Sequence, residues 1–515
     1  MGHVGGGQGE TARAAGWRSL ERWLAEAGPL VAGRAASAVA GIAVPVALAR
    51  LLVPAQYGSY KQLFLIATTA AGLLQLGMHQ SLYYFIPRDP AEARPFLAQA
   101  TGYLTAVGAL VALVLCCFGR PLAGLMHNPE LVHTMLPTAL FAGLLMAATP
   151  LEHGLVARGR IGAGGLAYVV SECSRVLIQV GAARIFGTVE ALLWASAGFA
   201  LARAVAAWLV NVSSVEGPLW DRALWRRQLG YCVPFGAAAL VMIPQQSFHQ
   251  YAVSALFGPV QFAIYSIGCL QLPIVDLLYT PVSDLLILRI GRADREGSPA
   301  AAAEGFREAV ARLSLAFFPA AGLLFALAPP LIVFVFTARY AAAAPIFRLA
   351  LMALPLAAFP VEGVLRAKAR KHFFFWAQIG RLGATVALVL LGIKLLGLDG
   401  AILGHVAAQT ALTTLLLWES AQALETPLRQ LLPWRSLVAS AIPSVIAAVC
   451  VCAVRDQLAV RLFPRLAAGA ALFAVVWAIA RWAIWATRPE LHGGRAAQLG
   501  ACGAAGGATQ IRTGE

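Results

Sequence analysis

The sequence predicts an all-α polytopic membrane protein of about 14 transmembrane helices: two parallel six-helix pseudo-repeats plus two C-terminal helices. Composition, run length and an internal duplication predict it. Apolar residues make up 59% of the 515 and charged residues only 12%, about half the charge of an ordinary soluble domain. Apolar runs such as Pro29–Leu52 and Ala467–Ala486 match the roughly 20 residues that cross a bilayer. They lack the polar–apolar alternation of barrel strands. The duplication sets the architecture and is taken up below.

In chain order the spans fall near 29–52, 62–86, 96–118, 131–154, 161–184, 189–211, 230–256, 260–288, 310–337, 343–365, 373–396, 399–419, 436–456 and 465–486. Spans one to six form an N-lobe (29–211), and 212–229 is a cytoplasmic linker. Spans seven to twelve form a C-lobe (230–419), and 436–486 holds spans thirteen and fourteen. The longest connections, 212–229 and 289–309, are polar and Arg-bearing, too short for a folded soluble domain. Residues 1–28 form a cytoplasmic N-terminal segment without the short apolar core and cleavage site of a signal peptide. Within it, Trp17, Leu20, Trp23, Leu24 and Ala27 share one helical face. That face fits a helix lying at the membrane surface; a plain extension of the first span is the other reading. Residues 487–515, rich in Gly and Ala, are expected to be a disordered cytoplasmic tail.

A net charge of +15 would point to nucleic acid in a soluble protein. Here its distribution along the loops follows the positive-inside rule, with Arg455, Arg461 and Arg465 in the last outside loop against the trend, so it mainly reports orientation and no nucleic-acid partner is expected. Arg222, Arg226, Arg227, Arg289, Arg292, Arg295, Arg366, Lys368 and Arg370 mark cytoplasmic ends. An even number of spans places both termini in the cytoplasm of a cell inner (plasma) membrane protein. The eight cysteines form no CxxC and no Cys/His set, so neither a metal nor a cofactor is expected.

Two segments recur. "LLVPAQYGSY" (Leu51–Tyr60) returns as "LFGPVQFAIY" (Leu256–Tyr265), offset by 205. "PLEHGLVARGR" (Pro150–Arg160) returns as "PVEGVLRAKAR" (Pro360–Arg370), offset by 210. The first pair joins spans one and two to seven and eight; the second joins four and five to ten and eleven. Six spans were therefore duplicated. Six being even, both copies cross the membrane in the same sense, as in parallel-repeat transporters. In the second motif, Glu152 and Glu362 sit at the cytoplasmic boundary, with Arg158 and Lys368 at headgroup level. Two roles are open: a structural hairpin with snorkelling cations, or a matched pair of cytoplasmic gates.

The stretch "ALARLLVPAQYGSYKQLFLIATTAAGLLQLGMHQSLYYFIPR" (Ala47–Arg88) resembles the opening of bacterial polysaccharide flippases. "YAAAAPIFRLALMALPL" and "VLRAKARKHFFF" resemble the span nine-to-eleven region of the same proteins. These flippases belong to the multidrug/oligosaccharidyl-lipid/polysaccharide exporter superfamily. The resemblance covers roughly residues 29–420. It implies two lobes of six helices, a central cavity and alternating access. It further implies that polyprenyl-diphosphate-linked oligosaccharide moves from the cytoplasmic to the outer leaflet, for O-antigen, capsule or exopolysaccharide biosynthesis. Membrane lipids and a polysaccharide polymerase are the partners to expect.

Such a headgroup needs a wet, cationic path, because unpaired charge in hydrocarbon costs several kcal/mol or more. Ionisable and amide residues inside spans are therefore the candidates. Arg34, Arg175, Arg203 and Arg381 are substrate-binding candidates, since a guanidinium gives paired hydrogen bonds to phosphate; internal ion pairing is the alternative for each. Arg175 and Arg381 lie in corresponding spans, about one turn apart after the offset. In span seven, Gln245, Gln246 and His249 can bond sugar hydroxyls or tie helices together. Asp276 and Glu172 are candidates for proton or sodium coupling, or for salt bridges with a cavity Arg. Pro45 bends span one, Pro234 and Pro244 span seven, and Pro273 and Pro281 span eight; spans one and seven correspond, and their bends are either hinges or packing kinks.

Other classes are weaker. A multidrug/cation antiporter of the same superfamily needs an acidic site, and the span arginines favour an anion. A peptidoglycan lipid-precursor flippase differs only in substrate. An enzyme is not expected: the sequence shows no nucleotide-phosphate loop, DxD motif or nucleophile triad, and the outer loops are too short for a membrane glycosyltransferase or polymerase.

Overall fold

The structure is a computed structural model and describes residues 32–33, 35–270, 272–455 and 462–486. The surface helix expected at 17–27, Arg34 and the tail expected at 487–515 lie outside those residues. Among the described residues there is no strand. The chain runs as α1 (Ala35–Leu51), α2 (Pro54–Leu74), α3 (Met78–Phe85), α4 (Ala93–Cys117), α5 (Gly119–Leu125), α6 (Leu131–Ala148), α7 (Pro150–Ala157), α8 (Ile161–Phe186) and α9 (Val189–Trp208). It continues as α10 (Arg222–Leu256), α11 (Pro259–Gly268), α12 (Ile274–Arg295), α13 (Pro299–Phe336), α14 (Ala343–Leu351) and α15 (Val361–Ala367). The last helices are α16 (Lys371–Ala423), α17 (Leu428–Leu431), α18 (Trp434–Arg455) and α19 (Leu462–Ala486).

Local chemistry sets these limits. Pro54, Pro150 and Pro259 open α2, α7 and α11, where a missing N–H costs nothing. Thr188 caps α9 by accepting from the Ala191 N–H at 3.3 Å, and Asp221 caps α10 by accepting from the Leu224 N–H at 2.8 Å. Large apolar side chains such as Leu177 and Ile185 stay about three-quarters exposed, as lipid-facing residues do.

Among the described residues, nine helices are long and apolar enough to cross a membrane. One of them, 372–423, breaks at Gly397 (φ 62, ψ −134) and supplies the expected spans eleven and twelve. Counting fourteen spans then requires the four less apolar segments, expected as spans one, two, seven and eight. Span one is described as the short helix α1. Span two is broken between α2 and α3 by Leu76 (φ 49) and Gly77 (φ 69). Span seven, α10, carries Pro234 and Pro244 inside the helix. Span eight is broken between α11 and α12. The interruptions therefore fall in corresponding positions of the two sequence halves, where substrate sites of repeat-built transporters concentrate.

The chain divides into two compact units. The first takes the described residues up to Pro273 with Val335–Ala350 and Arg370–Leu415. The second takes Ile274–Phe334, Leu351–Ala369 and the described residues from Leu416 onward. In the first unit α6 packs on α4 and α9, and α2 packs on α11. In the second, Ala326, Leu327, Ala447, Val451 and Phe473 form a buried cluster, and α12 packs on α15.

The repeated sequences fold alike. Tyr57, Tyr60, Phe262 and Tyr265, which match across the first duplication, are all buried. The two copies also meet: a Cβ built on Gly58 would sit 1.8 Å from the Pro259 carbonyl oxygen, so the backbones touch there. In the second duplication, α7 ends through Arg158 (φ −81, ψ 9) and Gly159 (φ 78). α15 ends through Lys368 (φ −85, ψ 9) and Ala369 (φ 52). Gly159 closes a Schellman turn, with Arg160 N–H donating to Leu155 O at 3.0 Å. Ala369 makes a similar turn with a Cβ, so Ala369→Gly is expected to raise stability by about 1 kcal/mol in thermal unfolding of the detergent-solubilised protein.

Candidate functional site

Three groups of polar side chains lie inside the spans of the first unit. The first joins α7, α8 and α9. Glu152 is in the first turn of α7, where the helix dipole favours an anion. Its Oε1 accepts from Arg203 at 2.6 Å and from the Ser171 hydroxyl at 2.9 Å. Arg158 donates to Gly154 O at 3.1 Å, Val210 O at 3.0 Å and Asn211 Oδ1 at 3.2 Å. Arg203, a substrate candidate, thus holds Glu152, a gate candidate.

The second group joins α8 and α1. Arg175 donates to Glu172 Oε2 through Nε at 2.9 Å and Nη2 at 2.5 Å. The Ser37 hydroxyl donates to Glu172 Oε1 at 3.3 Å. The substrate candidate Arg175 and the coupling candidate Glu172 are therefore partners, one helical turn apart.

The third group joins α10, α11 and α16, and it gathers most of the remaining candidates. Gln245 and His249, one turn apart on α10, are both buried. Gln245 Nε2 donates to Gln378 O at 3.0 Å. His249 Nδ1 is 2.6 Å from the Tyr265 hydroxyl. The His249 ring lies 4.3 Å from the His405 ring, centroid to centroid, and Arg381 acts electrostatically on His405. Gln378, Arg381 and Thr385 are spaced for one face of α16. In this group Gln245 Oε1, Gln378 Oε1 and Nε2, Thr385 Oγ1 and His405 Nδ1 are buried with no hydrogen-bond partner among the described residues. Buried polar atoms in native folds are nearly always satisfied, so several together point to water or a polar ligand.

Gln246 is exposed on α10. Asp276 is exposed in the first turn of α12, where a carboxylate is stabilised by the helix dipole. In the second unit, Glu362 accepts from Arg366 at 3.1 Å, and Lys368 donates to Asp294 at 2.6 Å. The two copies of the gate motif share a backbone but not partners. The Glu152 side chain is 2% exposed against 32% for Glu362. Lys368 and Asp294 are partly exposed, so reversing one charge is expected to cost about 0–1 kcal/mol. The double swap Asp294→Lys with Lys368→Asp is expected to restore wild-type thermal stability.

Sequence reasoning missed Tyr265, Thr385 and His405. Tyr265 was visible as a repeat residue, and Thr385 as the next polar position after Arg381 on its helical face. It also missed Lys61, a half-buried cation on α2 beside the Phe64 ring at 5.7 Å.

The profile of a family described as polysaccharide biosynthesis protein matches residues 47–345. The chain belongs to that family. Its fold is shared with solved transporters. The lipid II flippase MurJ, in an inward closed conformation, superposes with a TM-score of 0.70 at 12% identity, over 88% of this chain and 97% of that one. An inward-facing multidrug resistance MATE family transporter of the MOP superfamily gives 0.57 at 14% identity, over 76% and 94%. A MOP superfamily transporter from Pyrococcus furiosus, described as having a binding pocket of reverse polarity, gives 0.54 at 14% identity, over 78% and 94%. No curated protein matches. The family member thus has the fold of transporters and flippases rather than of enzymes, and is a multi-pass membrane protein, as the resemblance implied.

Proposed function

We propose that this protein flips polyprenyl-diphosphate-linked oligosaccharide from the cytoplasmic to the periplasmic/outer leaflet of the inner membrane by alternating access, for surface polysaccharide biosynthesis. The observation that carries the reading is the buried polar group of α10, α11 and α16. It pairs a guanidinium, suited to diphosphate, with amides and imidazoles suited to sugar hydroxyls. Family membership supports the same substrate class. The interior carboxylates Glu152 and Glu172 already hold Arg203 and Arg175, which does not favour a drug-cation antiporter.

Alternating access needs a closure that can part. The first unit offers one at the end expected to face outward, where the loops after spans one, seven and nine come together. Gly58 abuts Pro259, the Tyr57 and Tyr340 rings are 5.8 Å apart, and Arg50 Nε donates to Val335 O at 2.9 Å. Release to the outer leaflet would separate these contacts. A proton or sodium gradient would drive the cycle, and a polymerase would take the product.

The likeness to MurJ favours one second reading, transport of a peptidoglycan lipid precursor. Gene deletion separates the two. The first reading expects oligosaccharide-linked polyprenyl diphosphate to build up on the cytoplasmic leaflet, with loss of surface polysaccharide. Build-up of cell-wall precursor with lysis would favour the second. No build-up of either would overturn both.

A further inference from the structure

The linker between α9 and α10 is fastened through its backbone, while several of its side chains stay bare. Arg94, on α4, donates through Nε to Val212 O at 3.3 Å and through Nη1 to Gly217 O. Gln99, further along α4, donates to Asp221 O at 2.6 Å. Asp221 then caps α10, and the buried Gln228 ties the second turn of α10 to Ser81 on α3 at 2.9 Å. Arg227 is taken up by Asp89 at 3.1 Å. Left in the open are Leu219 (53% exposed), Trp220 (58%), Arg222 and Arg226. The Trp220 ring lies 5.3 Å from that of Trp225, which lies 6.0 Å from that of Tyr103, centroid to centroid. Such a row of amphipathic rings belongs at the level of lipid headgroups.

Arg222 and Arg226 are one turn apart on α10, where like charges repel and weaken a helix. The acids of the same segment are Asp221, whose carboxylate serves as the cap, and Glu216, exposed in the linker. Neither arginine forms an ion pair among the described residues. Further along the same face of α10 come Gly230, Val233, Ala237 and Leu240, all exposed. A Cβ built on Gly230 meets nothing within 4 Å, so the face stays open where guanidinium gives way to hydrocarbon. We propose that Arg222, Arg226 and Trp220 bind an anionic phospholipid of the leaflet that the basic loops are expected to face, the cytoplasmic one. Its phosphate takes the paired, charge-assisted hydrogen bonds that guanidinium groups offer. Its acyl chain follows the apolar positions of α10. Occupancy offsets the repulsion between the two arginines and braces the start of α10 on the linker. The site is separate from the polar groups inside the spans and does not depend on what the protein carries.

The test titrates the full-length protein in detergent with phosphatidylglycerol, or with phosphatidylcholine of the same acyl chains, and counts bound lipid by native mass spectrometry. Wild type is expected to hold phosphatidylglycerol roughly 30-fold more tightly at its strongest site, at about fivefold for each basic residue beside an anionic lipid. Arg222→Gln combined with Arg226→Gln should lose that preference. Arg292→Gln combined with Arg295→Gln removes the same charge from another basic connection and should keep it. Equal binding of the two lipids by wild type overturns the site and needs no variant to fold. A preference retained without Arg222 and Arg226 also overturns it, because the anion is then held elsewhere. A preference lost equally in both double variants overturns it too, since net charge alone would then account for the binding.

Discussion

Arg381→Ala is expected to cut export of lipid-linked oligosaccharide by roughly 10–100-fold, with the amount of membrane-inserted protein unchanged. The size follows from the roughly 1.5–3 kcal/mol carried by hydrogen bonds to a charged group, at about 1.4 kcal/mol per tenfold. The residue lies on the same face of α16 as Gln378 and Thr385, whose polar atoms lack partners within the described protein. Arg175→Ala is expected to do less, because Glu172 already occupies that guanidinium at 2.5 and 2.9 Å. Lysine at 381 should recover only part of the loss, since it keeps the charge but not the planar fork. Export assayed in a deletion strain, with protein level followed by immunoblot, checks all three. Equal export from Arg381→Ala and wild type would remove Arg381 from the site.

Gly58→Leu is expected to destabilise the closed arrangement seen here by about 3 kcal/mol or more, beyond the usual range for overpacking. Hydrogen is all that fits at this position: an ideal Cβ would lie 1.8 Å from Pro259 O and 2.6 Å from its carbonyl carbon. Both neighbours are backbone, so no side chain can swing away. α2 and α11 would have to separate, and Tyr57 and Tyr265, each almost fully buried, would lose their packing. Gly102→Leu is the control, because a Cβ there meets nothing within 4 Å. Size-exclusion profiles and thermal unfolding of the two variants in detergent give the comparison. A Gly58→Leu protein as stable as the Gly102→Leu protein would contradict the close approach.

The sequence carried the membrane class, the order of the helices and the duplication, because each depends on local hydropathy or on chain spacing. The like endings of α7 and α15 follow from the same repeat. Which partner each charge would choose was not legible. Glu172 and Arg175 are one turn apart in the chain, and an ion pair was one of the two roles open to each. Glu152 and Arg203 are far apart in the chain, and only the packing of α7 against α9 brings them together. The same holds for His405, a lone histidine in an apolar helix until α16 sets it beside His249. Gly58 looked like any small residue between spans one and two; the need for glycine comes from a contact with the other copy of its own motif.

The central claim is that the polar interior of this protein carries a diphosphate-linked headgroup across the bilayer. The direct measurement reconstitutes the purified protein into vesicles holding fluorescent polyprenyl-diphosphate oligosaccharide, and times its arrival in the opposite leaflet with a membrane-impermeant quencher. Movement of this lipid should be much faster with wild type than with Arg381→Ala or empty vesicles, while labelled phosphatidylcholine stays put. Equal rates in all three vesicle types would contradict the account.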